Sequence, residues 1–174
     1  MFSDLRFWTF AASGFWPTRD HSLAEVNSGL ESRTVWVLME DSLLLIKSSS
    51  SIRELTFYAV RENYFTVEFR SPELRAIREV YTYTDPYGLP NFLARIAAHN
   101  GPWPGSDDWS SLEGDFSISA TCDRLGHVLF SLSIHDEFGA LEQWRASWSI
   151  TAELGQLPKL ADDANRLFGL PPSA

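Results

Sequence analysis

The sequence feature that most constrains the fold is an alternation of apolar and mostly polar side chains in three stretches between residues 116 and 152. Side chains along a β-strand point alternately to the two faces of a sheet, so a period of two predicts half-buried strands. Asp123–Gly126 and Asp136–Gly139 supply turn residues between the stretches, which predicts an antiparallel meander with a Ser/Thr face toward solvent. The apolar positions are Phe116, Ile118, Ala120, Cys122, Val128, Phe130, Leu132, Ile134, Trp144, Ala146, Trp148, Ile150 and Ala152.

Similar but shorter signals precede this region. Alternation around Leu55–Ala59 and Phe65–Phe69, with a hairpin loop at Arg61–Asn63, predicts two further strands. The run from Leu74 to Thr84, rich in β-branched and aromatic residues, predicts another strand. Leu43–Lys47 suits a short buried strand.

Two segments have helical spacing instead. Residues 90–99 begin with Pro90, which suits a first helical position, and carry apolar residues three and four apart. Residues 158–168 have the same spacing and end at Gly169. The sequence therefore predicts an α+β fold, with an antiparallel meander of about seven or eight strands and two short helices packed on it. Residues 100–111 read as a long loop.

Length and composition favour one soluble domain spanning residues 1–174. The 174 residues are 44 % hydrophobic and 14 % aromatic, enough for a sizeable core. We divide the chain into an N-terminal extension, 1–50, with one or two strands, and a β-rich core with two helices, 51–168. Residues 1–34 have no clear period, and residues 34–39 read as a short strand. The aromatic residues of the extension's first part are Phe7, Trp8, Phe10, Phe15 and Trp16.

The formal net charge of −9 bears on partners. An acidic surface repels phosphate, which argues against nucleic acids and anionic membranes, and it attracts a basic protein partner. Solubility alone is a sufficient explanation of the same excess. Cys122 is the single cysteine, and neither a signal peptide nor an apolar run long enough to cross a bilayer is evident, so we expect a cytoplasmic location.

Three short stretches carry a family resemblance: WSSLEG at Trp109–Gly114, ATCDRLGHV at Ala120–Val128, and ELGQL at Glu153–Leu157 after Trp148. With these stretches, residues 51–168 resemble a bacterial family known only as a domain of unknown function. The resemblance implies no activity, and it leaves residues 1–50 largely outside.

No linear pattern for catalysis, a phosphate-binding loop or a zinc site is present, so we predict no cofactor and no metal. The strongest candidate is His135-Asp136-Glu137, in which a histidine beside two carboxylates suits a general base or a metal site. The same residues also suit a hairpin turn, which we favour. A Cys122–His127 nucleophile pair is disfavoured because the predicted inward face would hide the sulfur.

Residues 103–109 are the main interface candidate, because two tryptophans there flank two acids. An exposed tryptophan beside carboxylates suits a contact point for a basic partner, whereas the alternative is that both tryptophans cap the core. Further acidic residues would either extend an acidic rim around this loop or simply form an ordinary solvent-exposed face. The predicted interface residues are Trp103, Asp107, Asp108, Trp109, Asp136, Glu137 and Glu142, and Glu113 and Asp115 are further rim candidates.

Three function hypotheses follow. The first is a non-catalytic protein-binding domain, of the kind found in immunity proteins that neutralise a basic toxin. The second is a small-molecule-binding domain or enzyme with a site between sheet and helix, for example around His99 or His135. The third is a homo-oligomeric structural module assembled through residues 1–34.

Overall fold

The computed structural model describes residues 43–136 and 141–171, which form an α+β fold. The prediction of about seven or eight antiparallel strands with two helices is confirmed. The strands are β1 Leu43–Lys47, β2 Glu54–Arg61, β3 Tyr64–Arg70, β4 Arg75–Tyr81, β5 Asp107–Ser110, β6 Phe116–Cys122, β7 His127–His135 and β8 Arg145–Glu153. The helices are α1 Gly88–Ala97 and α2 Leu157–Leu167, with a short 3₁₀ turn at Leu154–Gln156.

The strands form two sheets, where the sequence predicted one meander. Sheet A has the order β1-β2-β3-β4 and sheet B the order β5-β6-β7-β8, and every neighbouring pair is antiparallel. Residues 82–106, which contain α1, separate β4 from β5 along the chain. Each four-strand meander has one apolar face, and two such faces remove most apolar surface from water when they cover each other.

Aromatic rings join the two sheets in the core. The Phe116 ring of sheet B lies 6.0 Å, centroid to centroid, from both Phe57 and Phe65 of sheet A, in edge-to-face geometry. Phe69 of sheet A stacks on Trp148 of sheet B at 4.5 Å. The three phenylalanines that meet at this junction are fully buried. The inner faces of both sheets therefore build one continuous core.

The helices complete the core at one side. They pack on each other, α2 also contacts β1, and α1 also contacts β5. Their observed bounds lie within two residues of the predicted ones. In α2, Pro158 occupies the first turn, and Gly169 adopts a positive φ of 69° just after the helix. That conformation lets the N–H of Leu170 donate to the carbonyl oxygen of Asn165, which closes the helix end.

Four local predictions are wrong. Trp144, predicted on the inward face of the last strand, is 43 % exposed and lies before β8, which begins at Arg145. The predicted loop 100–111 contains strand β5, because Asp107–Ser110 pair with β6. Ala59 is exposed rather than inward, because it adopts a φ of 53° at an irregularity that shifts the β2–β3 register. Strand β4 ends at Tyr81, three residues before the predicted end. Residues 1–34, the predicted strand at 34–39 and Glu137 lie outside the described residues.

Candidate functional site

The outer face of sheet B carries serines in two straight rows. One row across the four strands consists of Asp108, Ser119, Ser131 and Ser149, and the other consists of Ser110, Ser117, Ser133 and Ser147. The serines of β6 to β8 are the polar positions of the alternation, and Asp108 and Ser110 of β5 are directly opposite two of them, so all eight point away from the core. We call these eight residues the serine face.

The serine face forms the floor of a broad depression of about 880 Å³. Serine side chains are short, so the backbone and the edges of inward residues such as Ile118 and Leu132 also line the depression. Asp85 and Trp109 border it at the β5 edge. A partner can therefore approach the main chain of sheet B more closely than a face of longer side chains would allow.

Most hydroxyls of the serine face have no hydrogen-bond partner among the residues that the structure describes. A side-chain bond joins Ser147 to Ser133 at 3.3 Å. Within residues 43–136 and 141–171, the hydroxyls of Ser119, Ser131 and Ser149 make no hydrogen bond to protein. A hydroxyl donates one hydrogen bond and accepts others, so this array can satisfy either kind of group on a partner.

Trp109 and Asp85 build the β5 edge of the site. The indole Nε1 of Trp109 donates to Oδ2 of Asp85 at 3.0 Å, which ties the loop before α1 to β5. A Cβ on Gly88 would lie 2.1 Å from that nitrogen, so glycine is required for this close approach. The Trp109 ring is half-buried against Phe65 and Phe116. Trp109 thus positions the Asp85 carboxylate at the border of the depression that exposed Asp108 also lines.

Trp103 and Asp107 lie away from the serine face. Trp103 is only 8 % exposed and stacks on the His99 ring at 4.3 Å, so it lacks the exposure that its predicted interface role assumed. Asp107 points inward and accepts hydrogen bonds from Arg95 and His99, each at 2.9 Å. Burial acts to raise the pKa of Asp107, but the bonds from His99 and Arg95 outweigh it and hold the pKa below its ordinary value. Asp107 therefore joins β5 to Arg95 of α1, and Trp103 packs on His99 in the segment between the two elements.

The remaining predicted interface residues are dispersed. Asp136 follows β7 and lies 3.6 Å from the guanidinium of Arg78, on sheet A. Glu142 is exposed in the segment before β8. The structure therefore brings Asp108 and Trp109 together at one edge, and it does not bring Asp107 or Asp136 to the same surface. The alternation predicted these serines only as solvent-facing strand residues, although their repetition at alternate positions is visible in the sequence.

The histidine and cysteine candidates have structural partners. The two ring nitrogens of His135 contact the backbone oxygens of Asp136 and Gly114, each at 2.7 Å. Burial raises the pKa of the Cys122 thiol, and the charge of Asp123 raises it further. His127 pairs with Asp123 rather than with Cys122. In the described part of the chain, no three His, Cys, Asp or Glu side chains are grouped to hold a metal ion.

The Asp123–His127 pair predicts a specific pH dependence. Nδ1 of His127 lies 2.8 Å from Oδ2 of Asp123, and the hydrogen bond, then the charge, raises the pKa of His127 above 6.5. The backbone N–H of His127, then its ring, lowers the pKa of Asp123. His127 therefore stabilises the fold below its ordinary pKa, and this contribution is lost as pH rises through the raised pKa. The contribution of Asp123 is lost as pH falls through its lowered pKa.

We expect the NMR-titrated pKa of His127 to fall toward its ordinary value in Asp123→Asn, which keeps an oxygen for the turn's backbone N–H groups. The melting-temperature difference between the wild type and this variant should be larger at about pH 6 than at about pH 9. An unchanged imidazole titration would contradict the pairing.

The protein is of the α+β class, with two antiparallel four-stranded sheets and a pair of helices. One of its sheets has an exposed, hydroxyl-lined outer face. The chain belongs to a family of unknown function (DUF6228), whose model matches residues 47–171. This match confirms the resemblance to an uncharacterised family. No curated protein and no solved structure matches the chain. Among the helices of residues 43–136 and 141–171, none has the length and apolarity needed to cross a membrane.

Proposed function

We propose that this protein is a non-catalytic protein-binding domain whose contact surface is the serine face. The observation that carries the proposal is an array of hydroxyls on an open, recessed sheet surface, most of which have no hydrogen-bond partner within residues 43–136 and 141–171. Small-molecule pockets are mostly apolar and enclose their ligand. The serine face is lined by hydroxyls and open along two rows, so it favours a partner that lies across the sheet.

The dimensions of the serine face support a macromolecular partner. Strand spacing gives two rows about 14 Å wide and about 7 Å apart, which enclose on the order of 100 Å². A stable protein interface buries about 800 Å² on each partner. The serine face is thus suited to be the centre of an interface, and neighbouring exposed residues such as Leu129 and Arg145 would form its rim.

Charge favours a basic partner. The chain has a formal net charge of −9, and Asp85 and Asp108 border the site. Opposite charge speeds the encounter of two proteins and disfavours acidic competitors. We propose an immunity protein as the specific role: it would occupy the surface of a basic toxin and block the toxin by contact, without chemistry of its own.

Blocking the centre of the serine face tests this function. In Ser131→Arg, a long cation replaces an exposed serine in the middle of one row. A matched control, Ala98→Arg, adds the same charge at an exposed position after α1. We expect tagged wild type and Ala98→Arg to retain a stoichiometric basic protein from native lysate. Ser131→Arg should weaken binding of the purified partner by at least about 30-fold, the loss typical of a hot-spot residue.

Thermal melts of all three proteins would check that each remains folded. Capture of no stoichiometric protein by the wild type would refute the binding function. Equal affinity of the two arginine variants would refute the serine face as the contact surface. A captured partner with acidic rather than basic character would refute the charge argument.

A further inference from the structure

Three tyrosines form an exposed cluster on the outer face of sheet A. Tyr64 of β3 is directly opposite Tyr81 of β4, and their ring centroids are 4.9 Å apart. Tyr83 stacks on Tyr81 with a centroid separation of 6.0 Å and an interplanar angle of 8°. Tyr64 is 40 % exposed and Tyr83 62 % exposed. We call these three residues the tyrosine cluster.

The tyrosine cluster belongs to the surface and not to the core. The strand neighbours Phe65 and Val80 are fully buried, so the alternation sends Tyr64 and Tyr81 to the opposite side of the sheet. The inner face of sheet A packs on sheet B, so this side faces away from the serine face. Large exposed aromatic patches commonly mark interaction sites, because the rings offer broad contact area with little rotamer entropy to lose.

Carboxylates surround the tyrosine cluster. A depression of about 300 Å³ is lined by Tyr64, Tyr81, Arg78, Glu79, Glu113 and Asp115. Its lining includes three carboxylates and one guanidinium, and that guanidinium already donates to Asp115 at 3.0 Å. Glu79 lies 3.7 Å from Arg61. Glu113 is exposed and has no ion pair within residues 43–136 and 141–171.

The pKa of Tyr81 reflects the groups around the rings, which include one of these carboxylates. Partial burial, then the neighbouring Tyr64, Tyr83 and Glu113, raise the pKa of Tyr81 above its ordinary value. These surroundings disfavour an added negative charge on the ring. Of these causes, the Glu113 carboxylate also favours a cation placed beside the ring.

We propose that the tyrosine cluster and Glu113 bind an arginine side chain of a partner protein. A guanidinium is planar and weakly hydrated, so it stacks on tyrosine faces while its N–H groups pair with a carboxylate. A lysine ammonium is compact and strongly hydrated, so it uses the rings less well. This surface lies on the other sheet from the serine face and would add a second contact surface for a basic partner, or a first one if the serine face has another role.

The test uses the full chain and three fluorescent peptides that differ at one position, which holds arginine, lysine or uncharged citrulline. We expect fluorescence anisotropy to give the tightest binding for the arginine peptide and the weakest for citrulline. Tyr83→Ala should weaken arginine-peptide binding about 3- to 30-fold, the range of a cation–π contact. Glu113→Gln should weaken it and reduce its dependence on salt.

Two controls separate this site from general charge attraction and from the serine face. Tyr81→Phe keeps the ring and should bind like the wild type, whereas Ser131→Arg should also leave peptide binding unchanged. Equal binding of arginine and lysine peptides, with no effect of Tyr83→Ala, would overturn the proposal. No binding of the arginine peptide at millimolar concentration would overturn it as well.

Discussion

Phe116→Ala is expected to lower the free energy of unfolding by about 3–5 kcal/mol, the usual effect of truncating a buried phenylalanine. Phe116 is fully buried at the junction of the two sheets. Its ring contacts Phe57 and Phe65 of sheet A and lies 5.8 Å from Trp109. Truncation removes a contact partner from aromatic rings of both sheets. Because the surrounding side chains are packed from several sides, they cannot easily move in to fill the cavity.

Denaturant unfolding followed by tryptophan fluorescence measures this loss. Leu125→Ala is a suitable control, because Leu125 is 81 % exposed in the β6–β7 turn and its truncation should change stability by less than about 0.5 kcal/mol. Similar stabilities for the two variants would show that the sheets do not share one core. Phe116→Ala also affects the surroundings of the proposed binding surface, because Trp109 packs on Phe116 and borders the serine face.

Asp115→Ala is expected to have the second-largest effect, about 3 kcal/mol of lost stability, because it leaves a partly buried cation without its main partner. Asp115 is 2 % exposed. Its carboxylate accepts hydrogen bonds from the Ser111 hydroxyl at 2.6 Å and from Nε of Arg78 at 3.0 Å. Arg78 is on β4 and Asp115 directly precedes β6, so the ion pair connects the two sheets.

A double-mutant cycle separates the ion pair from the general effect of truncation. We expect Asp115→Ala and Arg78→Ala to be non-additive, with a coupling energy of about 1.5–3 kcal/mol. Glu113→Ala serves as the matched acidic control, because Glu113 is exposed two residues away and should contribute little to stability. Additive effects of Asp115 and Arg78 would mean that the ion pair does not connect the sheets energetically.

Much of the local structure could be predicted because it depends on neighbouring residues. The alternation from Phe116 to Ala152 correctly places Ile118, Phe130 and Ile150 in the core and the intervening serines outside. Strand β5 was missed, because four residues after a Pro/Gly-rich segment carry too little periodicity to separate a strand from a loop.

The sites were harder to predict, because they depend on registers between strands. The two serine rows arise only when β5 to β8 align, and the tyrosine cluster arises only when Tyr64 is opposite Tyr81. The exposure of single side chains was hard to predict for a similar reason, because it depends on packing in the folded chain. Trp103 lies between two prolines in a segment that reads as surface loop, yet it is 8 % exposed because it packs against the core and stacks on the His99 ring.

By itself, the sequence determined the α+β class, the helices and which side of most strands faces the core, because side-chain direction follows from backbone period within a few residues. The tertiary structure alone decided that the strands divide into two packed sheets, that Arg78 meets Asp115, and which hydroxyls and tyrosines share a surface. Such contacts join residues far apart in the chain. They are selected by how well whole apolar faces cover each other, a property that no short segment contains.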